Sequence, residues 1–476
     1  MDEHAPNSAA AEMPIREWLE DRRRIGMKPG LESTMTMLAR LDMPHMHFPC
    51  VHIAGSNGKG TTAAHLANSL TLAGNMVGLF TSPHLCHVEE RIRIDGKLID
   101  SKQLDRALHA IRTLAAKAPT IELSYFETLF LASMIVFRAV GVDRAVIETG
   151  LGGRLDATRA CIADLTILTE ISREHRSILG NSLKEIAREK AAIARPGSKM
   201  LARWPYDRGV RKEIEKACEN SRGYWFRGDR MGLYSFEDSD EAVRQLSDGD
   251  GILIPRGFFD GHMPMLYDNA ILAQCAALLL GETPPLASTV VECTMWPGRM
   301  QEFDGPHDIG FLLDCAHNPS GLTRLTQELI IRREREESAG RYFCPDAIIF
   351  GATQQDDIDA FLHPLVELMV AMDDPMLVLT QPTSGRTPPI SADNLLERVR
   401  EHHPGARVQV RPNVRVALDV AIEEAKSGAS NNVLDGVTGT IWSFGSLYLI
   451  GDLLRLLGKD SFDDLQSMVS SPSLDE

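Results

Sequence analysis

The stretch Cys50-Val-His-Ile-Ala-Gly-Ser-Asn-Gly-Lys-Gly-Thr-Thr-Ala63 limits what this chain can fold into more than any other. Cys50 to Ala54 is short, apolar and β-prone. From Thr61 onward, Ala64, Leu66, Ala67, Leu70 and Ala73 recur at helical spacing. Between the two, Gly55, Gly58 and Gly60 let backbone N–H groups turn toward one point at the positive end of the new helix, where a polyphosphate can sit. The amides of Ser56 and Asn57 belong to the same turn. Lys59 would reach the β- and γ-phosphates, and the Thr61 hydroxyl would take Mg²⁺. The spacing is not the common one: two residues rather than four separate Gly55 from the Gly58-Lys59 pair, and Gly60 stands between Lys59 and Thr61. A loop of this kind needs a strand before it and a helix after it, which commits the chain to an α/β fold.

At 476 residues and 43% apolar, the chain exceeds one ordinary core and is expected to form two domains. No apolar run approaches the roughly 18 residues of a membrane span, and the first residues lack a basic-then-apolar signal segment. Eight cysteines are scattered without a Cys-x-x-Cys pair, so neither a disulfide framework nor a zinc site is indicated and the cytoplasm is the expected compartment. The net charge of −16 is spread along the chain and argues against nucleic acid as a partner. An anionic substrate is still compatible, with Arg91, Arg93, Arg154, Arg159 and Arg299 beside turn-like segments as candidate contacts.

Further elements surround the loop. Met76 to Phe80 reads as a strand ending in Thr81-Ser-Pro-His-Leu85, a polar turn of the type that an open α/β sheet presents to ligands at its strand ends. Helical patterns follow near 101–117 and 124–140. Asp143 to Glu148 is an apolar strand ending in a carboxylate and running into Thr149-Gly-Leu-Gly-Gly-Arg-Leu-Asp156; an acidic strand end downstream of a phosphate loop suits a nucleotide's Mg²⁺. Leu165 to Thr169 is another strand, leading to Glu170-Ile-Ser-Arg-Glu-His175. Ser182 to Glu185 is a capping box opening the helix that carries Lys190. A helix from Met265 to Leu280 carries Asn269. At Met295-Trp-Pro-Gly-Arg-Met300 the pattern changes, and the Pro-Gly pair marks an interdomain hinge. Beyond it, strands near 309–313, 346–350, 376–380, 407–410 and 438–443 alternate with helices near 319–337, 357–371, 391–402, 414–427 and 446–457, the rhythm of a second doubly wound sheet. The segment after Lys459 reads as a low-complexity tail.

Taken together, these motifs resemble the folylpolyglutamate synthases and dihydrofolate synthases, relatives of the Mur ligases. The likeness runs nearly end to end and rests on ordered motifs. They are Gly30-Leu-Glu32, Ala54 to Thr61, Thr81 to Leu85 with Glu90-Arg-Ile92, Phe126-Glu127, Glu148 to Thr158, Leu179-Gly180 with Glu189-Lys-Ala191, Pro297 to Met300, Asp314-Cys-Ala-His-Asn-Pro319 and Gly445 to Leu449. The resemblance implies an α/β fold of two doubly wound domains, a P-loop ATPase-like domain over residues 1–297 and a Rossmann-like domain over 298–476. It implies an ATP-dependent amide ligase in which ATP phosphorylates a pteroate or folate carboxylate and the amine of L-glutamate captures the acyl phosphate. Lys59 and the loop amides of Gly55, Ser56, Asn57, Gly58 and Gly60 would hold the phosphates. Thr61 and Glu148 match a first Mg²⁺ position, and Ser82, Glu148 and His175 a second. Lys190 matches a lysine that the family carbamylates. Asn269, Arg299 and Asp314 match nucleotide contacts, and His317 lies near the reacting groups. A monomer without membrane association completes what the resemblance implies.

Several positions depart from the family pattern. Arg173-Glu-His175 replaces Leu-Asp-His, Cys315 replaces a glycine, Gln301 a glutamate, and Gln355-Asp-Asp357 an Asp-Lys-Asp run; the downstream Pro-Arg motif reads Gly385-Arg386, and Arg159 replaces a common asparagine. None removes the phosphate lysine or the metal carboxylate. A Mur-type ligase is the first rival, disfavoured because only 49 residues precede Cys50, against the extra N-terminal domain of roughly 100 residues that such enzymes carry. A nucleotide-binding homologue without catalysis is the second, disfavoured by the joint presence of Lys59, Glu148, His175, Lys190, Arg299 and Asp314. A plain ATPase or kinase is the third.

Overall fold

A computed structural model of the chain describes residues 13–26, 30–229, 232–236, 243–245, 267–285, 287–383, 385, 388–428 and 439–468. Two compact units divide it: Met1–Met295 together with Ser467–Glu476, and Trp296–Gln466. The resemblance extends the second domain to the C-terminus. Ser467 and Met468 instead pack on the first unit, where Ser467 donates its amide to Gly96 O. Arg386 lies outside the described residues, as do 1–12, 27–29 and much of 230–266.

The first unit is built on a ten-stranded sheet in the order β10-β9-β8-β7-β6-β1-β5-β2-β3-β4. Its strands are β1 (Cys50–Ala54), β2 (Val77–Phe80), β3 (Ile92–Ile94), β4 (Lys97–Leu98), β5 (Arg144–Glu148), β6 (Ala163–Leu168), β7 (Lys199–Ala202), β8 (Tyr224–Asp229), β9 (Gly232–Phe236) and β10 (Val243–Gln245). The six from β8 to β2 are parallel to one another. All five residues of β1 are buried, as expected of a central strand covered by helices on both faces. Antiparallel edges, β3 with β4 on one side and β9 with β10 on the other, extend the doubly wound core that the sequence predicted. After β1 the chain builds β2 and β5 on one side and then β6, β7 and β8 on the other, so β1 lies at the point where strand order reverses. Ligands bind at that point in open α/β sheets.

Local chemistry fixes the flanking helices. Ser124 and Glu127 form a reciprocal capping box that starts the helix Tyr125–Val140, and Gly141 ends it in the left-handed conformation. Thr34 donates to Glu127 at 3.1 Å, tying the helix Glu32–Arg40 to the same cap. That apolar helix covers the sheet together with Ser101–Ala115, which starts on an Asp100–Gln103 box.

The second unit holds a six-stranded sheet in the order β11-β12-β16-β13-β14-β15. Its members are β11 (Gln301–Asp304), β12 (Ile309–Leu313), β13 (Ala347–Phe350), β14 (Met376–Leu379), β15 (Val408–Val410) and β16 (Gly439–Phe444). From β12 to β15 the strands are parallel, matching the predicted alternation to within a residue or two. The addition is β11, a polar strand antiparallel to β12, with Gln301 opposite Leu313.

Candidate functional site

Four parallel strands of the first unit end side by side, and each delivers a different group. From β1 comes the glycine turn, from β5 Glu148, from β2 the Thr81–Leu85 turn, and from β6 the run Thr169 to His175. Glycine is required at two points of the turn. Gly55 has φ +150°, and a Cβ there would lie 1.8 Å from Thr169 Oγ1; Gly58 has φ +80°, and its Cβ would lie 2.6 Å from Asn269 Oδ1. Asn269 thus packs directly against the turn. Gly58 also precedes the helix Lys59–Leu72, so the turn's amides gather at a helix N-terminus.

The turn is held from the β6 side by groups that the sequence reading did not single out. Thr169 donates to Asn57 O at 2.7 Å, and Ser56 N donates to Glu170 O at 2.7 Å. The Ser56 hydroxyl donates to Ser172 O at 3.0 Å and accepts from Ser172 N at 3.0 Å. These bonds fix the turn's shape before any ligand arrives. Lys59 Nζ donates to Ser56 O at 3.0 Å, folding an ammonium over the turn. Thr61, at the start of the helix, is 6% exposed.

Lys190, on the helix Leu183–Ala191, is 1% exposed. Its Nζ donates to Gly55 O at 2.7 Å and lies 2.7 Å from Glu174 Oε1. Burial pulls the Lys190 ammonium down to about 8 against the attraction of Glu174. Burial alone would raise Glu174, but Lys190 and then Lys59 hold its carboxyl at about 2, so Glu174 is ionised. Both atoms that meet Lys190 are acceptors, which suits an ammonium's N–H groups. Carbamate oxygens would need those two partners to move away.

Glu148 Oε2 accepts from Ser82 N at 2.9 Å, which brings together two of the three residues assigned to the second metal position. Next to it, Thr149 is 1% exposed and its Oγ1 has no hydrogen-bond partner. His175 follows Glu174 in the left-handed conformation, φ +46°, and starts the short helix Arg176–Leu179. Among the described residues no three His, Cys, Asp or Glu side chains converge as a metal cluster. The donors that the resemblance assigns to Mg²⁺ are one carboxylate, the hydroxyls of Thr61 and Ser82, and the imidazole of His175. An oxygen-rich set that leaves coordination places for phosphate oxygens fits Mg²⁺, and the orphaned Thr149 hydroxyl is a further oxygen beside it.

In the second unit, Arg299, Asp314 and His317 gather at the C-terminal end of β12. Asp314 Oδ2 accepts from Met300 N at 2.9 Å and Oδ1 from Ala316 N at 2.7 Å, with Arg299 Nη1 3.7 Å away. Burial raises the Asp314 carboxyl, opposed by Arg299 and the two amides. The Gln301 side chain accepts from Gly298 N at 2.8 Å, so this departure from the family glutamate still staples the turn. His317 Nδ1 lies 2.8 Å from Cys315 O; facing a carbonyl, Nδ1 carries the proton and Nε2 is the nitrogen able to accept one. Gln355, another departure, donates to His317 O at 3.0 Å. The predicted residues thus fall into two groups, one on each unit.

A family model described as the C-terminal domain of dihydrofolate synthetase matches residues 301–456. The dihydrofolate synthase/folylpolyglutamate synthase of Bacillus subtilis is 36% identical over 330 residues, 66% of this chain and 75% of that protein. The chain belongs to the dihydrofolate synthase/folylpolyglutamate synthase family. Among solved structures, Mycobacterium tuberculosis folylpolyglutamate synthase complexed with ADP and AMPPCP superposes with a TM-score of 0.73 at 25% identity, covering 94% of this chain and 99% of that one. A bifunctional folylpolyglutamate synthase/dihydrofolate synthase with Mn, AMPPNP and L-glutamate bound gives 0.68 at 25% identity, with 94% and 99% covered. Two fused folylpolyglutamate synthase/dihydropteroate synthases, from Halobacterium salinarum and Haloferax volcanii, also match, but the chain spans only 37% and 21% of their lengths. No helix among the described residues is long and apolar enough to cross a membrane.

Proposed function

We propose that this chain phosphorylates a pteroate or folate carboxylate with ATP and condenses the acyl phosphate with L-glutamate, releasing ADP and phosphate. One observation carries the reading: a preformed glycine turn at the sheet's switch point, with Lys59 folded over it and Glu148 tied to Ser82 at the neighbouring strand ends. Two anions, a triphosphate and a carboxylate, have to approach within reacting distance. Their repulsion is offset by Lys59, by the turn amides and by the helix N-terminus, all fixed in advance.

Thr61, Ser82, Glu148 and His175 would hold Mg²⁺, which neutralises phosphate charge when bound. Lys190 keeps Gly55 O in place and stays buried with Glu174, so the turn does not relax when the triphosphate leaves. Asn269, Arg299 and Asp314 are nucleotide contacts. His317, through Nε2, takes the proton that the glutamate ammonium must lose before its nitrogen can attack. Closure about the Trp296–Gly298 segment keeps water from the acyl phosphate. The enzyme acts as a monomer in the cytoplasm. No disulfide joins the described cysteines, which suits a reducing compartment.

The test is coupling. ADP release from Mg-ATP should require both a pteroate or folate and L-glutamate, and mass spectrometry should find one glutamyl residue added for each ADP. ADP release with neither substrate would mark a plain ATPase, and release with the acid alone at the full rate a kinase.

A further inference from the structure

A buried knot in the first unit, away from the phosphate turn, involves both places where the chain passes between units. Asn68, on the helix Lys59–Leu72, is 0% exposed. Its amide nitrogen donates to Ser467 O at 2.6 Å and to Thr294 Oγ1 at 3.0 Å, and its Oδ1 accepts from the Ser467 hydroxyl at 3.4 Å. Around it, Ser467 N donates to Gly96 O at 2.9 Å, Met295 N donates to Ser467 O at 3.1 Å, and Thr294 and Met468 form an antiparallel bridge. Met295 is the last residue before the chain enters the second unit, and Ser467 is the first after it leaves. One side chain therefore holds the outgoing and the returning strand together.

We infer that Asn68 is a positioning residue that pins both chain crossings to the phosphate-loop helix and makes them a single-axis hinge. A domain on one linker can turn about three axes. Two pins side by side leave one easy rotation, about the line through them. Asn68 follows Lys59 by nine residues, roughly 14 Å along a rigid helix, so the hinge is fixed in the same frame as the turn. The knot is buried, so leaving one of its polar groups unmatched is unfavourable enough to keep the pins closed through ordinary fluctuations. Glycine at 96 belongs to the device: its φ is +76°, and a Cβ would lie 2.6 Å from Met468 Cβ. That the hinge serves phosphoryl transfer rests on the proposed function; the pinning itself does not.

Two variants test it. Asn68→Ala removes the amide, while Ser467→Ala removes one hydroxyl and keeps every main-chain bond, so it remains informative if the first fails to fold. Each is labelled with a dye pair at Lys117→Cys and Glu397→Cys, one site per unit, and compared with the parent by single-molecule energy transfer. The expected result is a broadened efficiency distribution in Asn68→Ala and a smaller broadening in Ser467→Ala. Affinity for Mg-AMPPNP should stay within about twofold, while kcat in Asn68→Ala falls about tenfold, the factor one buried hydrogen bond is worth. A parent-like distribution in the folded variants overturns the inference. So does a loss of nucleotide affinity large enough to explain the whole fall in turnover. The distance measurement needs no catalysis, so broadening in a protein without ligase activity would keep the hinge and remove only its catalytic use.

Discussion

Replacing Lys190 by methionine removes a positive charge from a place that water does not reach. The side chain is 1% exposed, 2.7 Å from Glu174 and 2.7 Å from Gly55 O. Methionine fills nearly the same volume, so packing is largely kept and the loss is electrostatic. Stripping a buried carboxylate of its partner costs about 3–5 kcal/mol, and the Gly55 carbonyl loses a donor as well. Glu174, held at about 2 by this partner, can relieve part of the strain by taking a proton. A net loss of about 3–5 kcal/mol in the unfolding free energy of the first unit is therefore expected. Adding Glu174→Gln removes the stranded charge and should restore about 2 kcal/mol, a coupling typical of neighbours in contact. Urea titration followed by far-ultraviolet circular dichroism reads all four corners of the cycle. A Lys190→Met protein within about 1 kcal/mol of the parent, or a double variant no more stable than the single, would show that the pair is not the anchor described here.

Other expectations are independent of that pair. Gly58→Ala forces a side chain into φ +80° and within 2.6 Å of Asn269 Oδ1, so ADP affinity by calorimetry should fall about tenfold or more; unchanged affinity would place the phosphates elsewhere. Burial holds His52 at about 3 and His65 at about 4, against an ordinary 6.5. Below 6.5 the unfolded chain protonates both while the folded chain does not, so stability is fully present above 6.5 and declines as pH falls toward 4. Two such groups give a slope approaching about 2.7 kcal/mol per pH unit near pH 5, and a melting temperature flat from pH 6.5 to 5 would contradict it. Arg299→Ala leaves Asp314 without its cation 3.7 Å away and should raise KM for ATP about tenfold in steady-state assays; an unaltered KM would remove Arg299 from the nucleotide's contacts.

Much of the architecture was readable because buried parallel strands are continuous apolar runs. Ile309–Leu313 and Ala347–Phe350 leave little choice of conformation, and capping signals such as Ser182 with Glu185 fix where helices begin. The edges were not readable. β4 has two residues, and β11, Gln301–Asp304, is as polar as a loop; both are strands because a neighbour offers a ladder. The same distinction runs through the site. Glycines at 55 and 58 announce a turn by residue type alone, whereas Thr169 and Ser172 are ordinary polar residues until β6 carries them alongside it. Lys190, read without the family, is one more charge on a helix; only three-dimensional packing shows that it is buried. Ser467, in a segment that reads as a low-complexity tail, gains its role from Asn68, 399 positions away.

The central claim is that an acid is first phosphorylated and then captured by an amine, and isotope transfer tests it most directly. With the pteroate or folate carboxylate labelled in both oxygens with ¹⁸O, attack on the γ-phosphoryl group makes one labelled oxygen the bridge of the acyl phosphate. Amide formation then expels that oxygen with the phosphate. Phosphate carrying one ¹⁸O for each glutamyl bond formed is the predicted result. Amide product accompanied by unlabelled phosphate would contradict the account.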